Sequence, residues 1–318
     1  KYKLAELLSD VVGRQLVSDV PVGVMLSGGV DSGVICGLVA QQKANIKTFS
    51  IGFKDESSNE FSRARIIAEK FGTEHSEILV ERSGLKLLPE VIWHNDEPVG
   101  GPSSIAYYIA LKEAKKRVTV VLLGHGSDEI FSGYEEIKIQ QLAKVLTCFG
   151  GSVIGRGLKN VFNHLQVEDS AILRGAKYLE SLNREHENFV NLISVSSLEE
   201  VQLFCPSLGN KVSKVWKGLL QRSADSFFAK RSTLDSITDF EMRGWLPEDI
   251  LLRVDRMTMS RSIEGRVPFL DKTVCNFSLG LPADYKLRGL KTDKYVLREA
   301  FKGFIPDQVR LRPKQRFN

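Results

Sequence analysis

Residues 22–32 join an apolar run to a short polar turn that is suited to binding phosphate. Residues 22–26 predict a buried strand, Ser-Gly-Gly forms the turn, and a helix is expected to open at Asp31 and Ser32. Two glycines let the backbone approach an anion, and the helix N-terminus adds partial positive charge. The hydroxyls of Ser27 and Ser32 can donate hydrogen bonds, and Asp31 can hold a magnesium ion against the same phosphates. The pattern is neither Walker A nor Gly-x-Gly-x-x-Gly, and it favours a phosphate site over an ordinary glycine turn.

A second polar segment, residues 123–134, reads Leu-Gly-His-Gly-Ser-Asp-Glu-Ile-Phe-Ser-Gly-Tyr. Its glycines permit another close backbone approach, and Asp128 with Glu129 places carboxylates at the start of a helix. Asp31 and Asp128, from two strand ends, could then meet on one magnesium ion. The alternative is a favourable acid pair in a first helical turn, which is common.

Strand and helix signals alternate over the first 123 residues. The predicted strands cover residues 22–26, 46–53, 75–80 and 118–123. The predicted helices cover residues 3–17, a stretch opening at 31, a stretch through 64–71 stopped by Gly72, 84–95, and 103–116 with Ser103 as N-cap. This alternation predicts an α/β fold with a doubly wound parallel sheet, in which ligands lie beyond the carboxyl ends of the strands. Both polar segments fall there.

Strand signals fade after residue 140, and residues 140–235 predict a helical region. We therefore expect an α/β nucleotide-binding core over residues 1–140 and a largely helical region over 141–318 that completes the same site. Asp255, Arg256, Glu264 and Arg266, taken as residues alone, are interpreted as ion pairs that fix helices.

The composition is that of a globular protein without a membrane span. The chain has 318 residues, 42% hydrophobic and 26% charged, with a net charge of +5 that suits ATP as well as RNA. No run approaches the ~20 apolar residues of a spanning helix, and no signal peptide is seen. Four scattered cysteines predict reduced thiols rather than a metal centre, which fits a cytoplasmic protein.

Four separated blocks, in order, resemble the asparagine synthetases. The turn at residues 27–32 is similar to the pyrophosphate loop of the N-type ATP pyrophosphatases, and residues 123–134 resemble Gly-Glu-Gly-Ser/Ala-Asp-Glu-Leu-Phe-Gly-Gly-Tyr of the synthetases. Residues 245–271 are similar to Leu-Pro-x-Asp-Leu-Leu…Asp-Arg…Glu-x-Arg-Val-Pro-Phe-Leu-Asp. The fourth block comprises the closing runs 287–299 and 312–317, which also resemble that family.

The resemblance implies an amide-forming ligase that uses ATP and Mg²⁺. A carboxylate, that of aspartate, attacks the α-phosphorus, pyrophosphate leaves, and ammonia converts the acyl-adenylate to an amide with release of AMP. By position, pyrophosphate is bound by Ser27, Gly28, Gly29, Asp31 and Ser32, and magnesium by Asp31 and Asp128. Residues near the adenine are Met25, Leu26, Ile51, Leu123 and Gly124, and the catalytic set is Lys291, His125 and Asp128. The matching lysine of the family lies at the acyl-adenylate, where a cation stabilises developing charge.

Two departures from the family concern the amide-forming step. His125 stands where the family carries glutamate between the two glycines, and histidine can still act as a base near neutral pH. These residues contain no glutaminase domain, so we expect ammonia from a separate domain or subunit, and use of ammonium but not glutamine by the isolated chain. A homodimer is left open, and neither nucleic acid nor a membrane is expected as a partner.

Three other readings stay open or are disfavoured. A relative could make a different amide, as a β-lactam, peptide-cyclising or sugar-modifying synthetase, and the acyl pocket would discriminate. A tRNA-thiolating pyrophosphatase is disfavoured, because the chain lacks paired cysteines and contains Arg-Val-Pro-Phe-Leu-Asp at 266–271. A non-catalytic nucleotide-binding protein gains some support from His125.

Overall fold

The amino-terminal part alternates helices and strands, as its apolar spacing predicts. The computed structural model describes residues 1–53, 60–98, 103–139, 141, 198–208, 211–215, 217–218, 221, 232–289 and 292–312. The strands of this part are β1 (Val22–Met25), β2 (Lys47–Phe53), β3 (Glu74–Val80) and β4 (Val120–Leu122). The helices are α1 (Tyr2–Gln15), α2 (Val30–Gln42), α3 (Phe61–Phe71), α4 (Leu88–Asn95), α5 (Ser103–Ala114) and α6 (Ser127–Phe131).

The carboxyl-terminal part is mainly helical where it is described. Its helices are α7 (Leu198–Phe204), α8 (Thr233–Phe240), α9 (Leu252–Met259), α10 (Lys272–Leu279), α11 (Ala283–Lys286), α12 (Tyr295–Ala300) and α13 (Asp307–Arg310). A π-helix, Glu241–Leu251, precedes α9, and a short strand, β5 (Glu264–Arg266), follows it. The predicted helical region 140–235 lies largely outside the described residues, apart from helical pieces such as α7.

Five parallel strands form one sheet in the order β3-β2-β1-β4-β5. The chain moves outward from β1 to β3 through α2 and α3, and then returns to the other side of β1 through α4 and α5. Because parallel crossovers are right-handed, this reversal places the two helix pairs on opposite faces of the sheet. The predicted doubly wound parallel sheet is therefore confirmed, with its topological switch point between β1 and β4.

Apolar side chains explain why these elements form. Helix α1 buries Leu4, Leu8, Val11 and Val12 at helical spacing, and β1 is buried along its whole length. Helix α3 ends at Gly72, whose φ of 63° is left-handed and whose neighbour Thr73 donates to Ala68 O at 3.0 Å. The predicted stop at Gly72 is confirmed.

Several predicted boundaries are wrong by a few residues. Helix α5 begins at Ser103 itself and ends at Ala114, because the next turn tightens to the i,i+3 bond from Lys116 N to Glu113 O. The predicted helix over 84–95 is a 3₁₀ turn, Arg82–Leu87, followed by α4, and Pro89 lies in the first turn of α4.

The fifth strand was not predicted, and the interpretation of its charges needs correction. Glu264 and Arg266 form an ion pair at 2.7 Å, but they lie on β5, not on helices. The strand pairs with β4, and Leu123 N donates to Arg266 O at 2.8 Å. The sequence Glu-Gly-Arg has no alternation of apolar residues that would predict a strand. This edge strand forms because its backbone pairs with β4.

The chain separates into two compact units. One comprises Lys1–Gly133, Gly244–Leu287 and Thr292–Asn318, and the other comprises Tyr134–Arg243 and Arg288–Lys291. The division at residue 140 stays a prediction. None of the helices in the described part of the chain is both long and apolar enough to span a membrane.

Candidate active site

The turn after β1 is shaped by a close approach of helix α3. Gly28 has a φ of +72°, and a Cβ at this position would lie 2.8 Å from Arg63 Cβ and 3.0 Å from Ala64 N. Any side chain would therefore collide with α3 as well as strain the backbone. Helix α2 begins directly after Gly29, so its N-terminal N–H groups point into the turn.

Two serines of the turn, Ser27 and Ser32, are hydrogen-bonded to each other. Ser32 Oγ accepts from Ser27 N at 3.1 Å and lies 3.0 Å from Ser27 Oγ. Ser32 is buried, whereas Ser27 is exposed and can present its hydroxyl to a ligand. The predicted phosphate loop is thus a preformed turn at the carboxyl end of β1.

The second polar segment follows β4, the strand next to β1, and lies against the start of α2. A Cβ on Gly124 would lie 2.9 Å from Ser32 N and 3.2 Å from Asp31 Cβ. Ser127 Oγ donates to Asp31 Oδ1 at 2.7 Å, which joins the two segments directly. The expectation that these strand ends meet is borne out by these contacts.

Asp31 and Asp128 converge on one cationic group, the ammonium of Lys294. Its Nζ lies 2.5 Å from Asp31 Oδ2 and 2.7 Å from Asp128 Oδ1. The Lys294 side chain is 2% exposed, and the residue precedes α12 with a left-handed φ of 49°. Burial by itself would lower the pKa of Lys294, but Asp128 and Asp31 outweigh it and raise that pKa above its usual value. The ammonium therefore stays charged at neutral pH.

Lys294 is a candidate site residue that the sequence motifs do not identify. The predicted catalytic lysine, Lys291, lies three residues earlier and outside the described residues, so its role stays a prediction. The signal that could have found Lys294 is its position just before the apolar residues Val296 and Leu297, which are buried on α12. A lysine at the start of a buried helix is held against the core, whereas one in a Gly-x-Lys-Thr loop is ordinarily solvated.

His125 is half-buried and lies against a tyrosine of α5. Its Nε2 is 3.3 Å from Tyr107 Oη, and the two rings have centroids 5.8 Å apart. Burial raises the pKa of Tyr107 to about 12, so its phenol stays protonated across the working range. Tyr107 can therefore donate to Nε2 of neutral His125, which leaves the proton of the ring on Nδ1.

The residues predicted to line the adenine site are nearly all buried. Met25, Ile51 and Leu123 belong to one hydrophobic cluster, and Leu26 is 1% exposed. Gly124 is half-buried at the edge of this group. Met25, Ile51 and Leu123 lie at or near the carboxyl ends of β1, β2 and β4, and their assignment to adenine stays a prediction.

The pair Asp31 and Asp128 fits a magnesium ion. Their carboxylates already hold a positive charge at one point next to the phosphate loop. Mg²⁺ is commonly bound by one or two carboxylates together with the phosphates of its nucleotide. Among the described residues there is no group of three or more His, Cys, Asp or Glu side chains that could hold a metal by itself. The donor set therefore suits a metal that arrives with phosphate.

The asparagine synthase family matches residues 3–318 of this chain. The chain belongs to the asparagine synthase family. A relative, the glutamine-hydrolysing asparagine synthetase 1 of Bacillus subtilis, is 31% identical over 326 residues, covering 99% of this chain and 49% of the relative. The glutamine-hydrolysing asparagine synthetase 3 of the same organism is 28% identical and is covered to 46%. The amidase chyE of Penicillium rubens is 26% identical, covering 95% of this chain and 50% of that protein.

This chain therefore spans about half the length of the curated asparagine synthetases it matches. Family membership agrees with the phosphate loop and the sheet order described above. The relatives named here include both synthetases and an amidase, so the reaction of this chain has to be argued from the site.

Proposed function

We propose that this chain is the synthetase part of an enzyme that activates a carboxylic acid as its acyl-adenylate and converts it to an amide. The substrates would be aspartate, ATP and ammonia, and the products asparagine, AMP and pyrophosphate. The observation that carries the proposal is the convergence of Asp31 and Asp128, from two neighbouring strand ends, on one cation beside the phosphate loop. Their match to the expected magnesium pair supports a nucleotide bound at the switch point between β1 and β4.

In this proposal the turn after β1 holds the leaving pyrophosphate. Ser27 donates its exposed hydroxyl, and the backbone at Gly28 and Gly29 comes close because neither has a side chain. Asp31 and Asp128 would hold Mg²⁺, which neutralises phosphate charge and polarises the phosphoryl oxygens when bound. A carboxylate is a poor electrophile, and adenylation turns one of its oxygens into a good leaving group.

Lys294 is positioned to stabilise the charge that develops during adenylation. Its ammonium is fixed among the two aspartates and the backbone of Gly133, where a Cβ would lie 2.2 Å from Lys294 Cε. A cation beside this turn can stabilise the charge that builds on phosphate and carbonyl oxygens. Lys291 remains a second candidate for the same role on the resemblance alone.

His125 would take the proton from the incoming amine in the second step. When Tyr107 donates to Nε2, Nδ1 carries the proton of the neutral ring. Rotation of the ring away from Tyr107 would present Nε2 as a base to the attacking amine.

A second candidate is the formation or cleavage of a different amide. Two observations favour it, namely His125 in place of the family's glutamate and the similarity to a protein named as an amidase. Relatives named as glutamine-hydrolysing support ammonia from a glutaminase domain or subunit for the first candidate.

The deciding experiment is ATP–pyrophosphate exchange with a panel of carboxylic acids that includes aspartate. We expect exchange with aspartate at least about a hundredfold above the rate without acid, and loss of that exchange in Asp31→Asn. The control is Asp10→Asn, an exposed carboxylate that pairs with Arg14 on α1 and should leave exchange unchanged. Exchange with another acid would select the second candidate, and ADP as product would reject adenylation altogether.

A further inference from the structure

The carboxylate oxygens that would bind magnesium are already bound by a side chain. Lys294 Nζ contacts Asp31 Oδ2 and Asp128 Oδ1, one oxygen from each aspartate. The other oxygen of Asp31 accepts from Ser127 Oγ at 2.7 Å. Mg²⁺ held by these two aspartates would compete with the Lys294 ammonium for the same carboxylate oxygens.

The surroundings leave no room for both cations at that point. A Cβ on Gly133 would lie 2.1 Å from Asp128 Oδ1 and 2.2 Å from Lys294 Cε, so the backbone closes that side. The Lys294 side chain is 2% exposed, so protein encloses it. Two positive ions beside each other in a shielded site also repel strongly, because little water screens them.

We propose that Lys294 and Mg²⁺ exchange at Asp31 and Asp128, so that the lysine excludes free metal until the nucleotide phosphates arrive. The inference rests on the proposed function, since it takes ATP as the ligand that brings the metal. A lysine is suited to such an exchange, because its ammonium is a compact point charge on a flexible four-carbon stem.

The balance of charges at the two aspartates explains why Lys294 would leave them only when the nucleotide phosphates arrive. The two aspartates together carry two negative charges, and the ammonium neutralises one of them. Free Mg²⁺ would displace the ammonium into a buried position without a new partner. The metal complex of ATP brings phosphate oxygens that receive the ammonium as it leaves the carboxylates. Lys294 is thereby delivered to the phosphates only when the metal is in place.

The test measures metal binding rather than turnover. Mn²⁺ serves as the spectroscopic probe for Mg²⁺ and is titrated into the full chain without nucleotide, followed by electron paramagnetic resonance. We expect weak binding by wild type and at least about tenfold tighter binding by Lys294→Met. The tighter Mn²⁺ binding should be lost in the double variant that combines Lys294→Met with Asp31→Asn. It should also be absent in Lys294→Arg, because the arginine keeps a cation between the carboxylates. Lys286→Met removes the charge of another fully buried lysine and should bind Mn²⁺ as wild type does.

Equal affinity of wild type and Lys294→Met would overturn the exchange. If Lys294→Met does not fold, wild type decides the matter with a non-hydrolysable ATP analogue. Mn²⁺ bound with the analogue but not without it supports the proposal. The proposal is contradicted if wild type binds Mn²⁺ without the analogue at least as tightly as with it, and if this binding is lost in Asp31→Asn. It is also contradicted if wild type binds no Mn²⁺ either with or without the analogue. Pyrophosphate exchange is measured separately, so that loss of the proposed function is distinguishable from loss of the exchange.

Discussion

The carboxylate of Asp31 is fixed at both of its oxygens, by Ser127 on one side and by Lys294 on the other. Charge-assisted hydrogen bonds of this kind hold a side chain in one rotamer. The same ammonium binds Asp128, so three charged groups from three separate segments are oriented together. At the scale of single residues, the two aspartates and Lys294 are therefore held in position by one another.

His125 gives the first prediction. His125→Ala should retain ATP–pyrophosphate exchange with the active acid but slow amide formation by about a hundredfold or more, because only the second step needs a proton acceptor. His125→Glu should keep amide synthesis and move the acidic limb of its pH profile to lower pH, since carboxylates titrate below histidine. Single-turnover assays that follow pyrophosphate and amide separately would measure both.

Tyr107→Phe is the matched control for this prediction. It removes the hydroxyl beside His125 Nε2 and keeps the ring, so a smaller loss confined to the amide step is expected. Amide formation by His125→Ala at the wild-type rate would show that His125 handles no proton.

At the scale of elements, the start of α12 is held by a buried arginine. Arg298 Nε donates to Asp293 O at 2.9 Å, and its Nη2 is bonded to the Asp293 carboxylate. Its Nη1 is bonded to Arg310 O and donates to Arg312 O at 3.0 Å. Asp293 immediately precedes Lys294, so this clamp ties the left-handed turn at Lys294 to the segment around α13.

Arg298→Met should therefore lower both stability and turnover. The substitution breaks the buried ion pair between Arg298 and Asp293, and breaking a pair of this kind costs about 3–5 kcal/mol of the free energy of unfolding. Urea unfolding would measure this loss, and kinetics should show a fall in kcat larger than the rise in KM for ATP.

Arg310→Met is the matched control, because Arg310 is another buried arginine of the same region. Its carboxylate partners Asp307 and Glu299 are more exposed and can be hydrated, so about 1–2 kcal/mol is expected. Equal kinetic damage from the two variants would argue against a specific role of the Asp293 clamp.

Strands β2 and β3 carry a buried polar chain that reaches the phosphate loop. His75 lies 2.8 Å from Thr48 Oγ1 through Nδ1 and 3.0 Å from Ser50 Oγ through Nε2. Ser50 donates to Leu26 O at 2.9 Å, at the entry to the turn. Because the Ser50 hydroxyl donates its proton to Leu26 O, its oxygen accepts a hydrogen bond from Nε2–H of His75. Nδ1 of the neutral ring then accepts from the Thr48 hydroxyl.

His75 gives a prediction about stability and pH. Burial, with the nearby Arg65, lowers the pKa of His75, although Glu77 opposes the shift. The unfolded chain then binds the proton more readily than the folded protein, so stability falls as pH drops below about 6.5. His75→Gln should show a smaller difference in the free energy of unfolding between pH 7.5 and 5.5 than wild type. The control is His94→Gln on α4, which should leave the difference between the two pH values as in wild type. If His75→Gln also left this difference unchanged, the pH dependence would not come from His75.

The sequence predicts most of the sheet because buried parallel strands carry apolar runs. Residues 46–53 and 118–123 showed this pattern, and β2 and β4 lie within them. Strand β5 has no such pattern, since Glu264 and Arg266 are charged and lie on the same side of the strand, on either side of Gly265. The strand is stabilised by its ladder with β4. Its position depends on a contact between parts of the chain far apart in sequence.

Local motifs predict that Asp31 and Asp128 come close together, but they do not predict the position of Lys294. Asp31 and Asp128 each lie in a glycine-rich turn after a strand, and parallel topology brings such turns together. Lys294 has no motif of that kind, and its arrival between the aspartates depends on the fold of the carboxyl-terminal segment. The bond from Ser127 to Asp31 likewise joins residues that no local pattern connects.

At the scale of the whole molecule, one compact unit contains every candidate site residue that the structure describes. That unit takes its sheet from the first part of the chain and Lys294 from the last. The aspartates cannot hold the ammonium unless both parts fold together. Binding of the nucleotide and folding of the carboxyl-terminal segment should therefore be linked.

The most direct test of the account is the fate of the carboxylate oxygens of the acid substrate. The acid that supports exchange is labelled with ¹⁸O in its reacting carboxylate, and the products of amide synthesis are analysed by mass spectrometry. Attack of that carboxylate on the α-phosphorus, followed by cleavage of the acyl C–O bond by the amine, leaves one carboxylate oxygen on AMP. We predict AMP carrying one ¹⁸O atom together with unlabelled pyrophosphate. Unlabelled AMP, or label recovered in inorganic phosphate with ADP, would contradict the acyl-adenylate and with it the central claim.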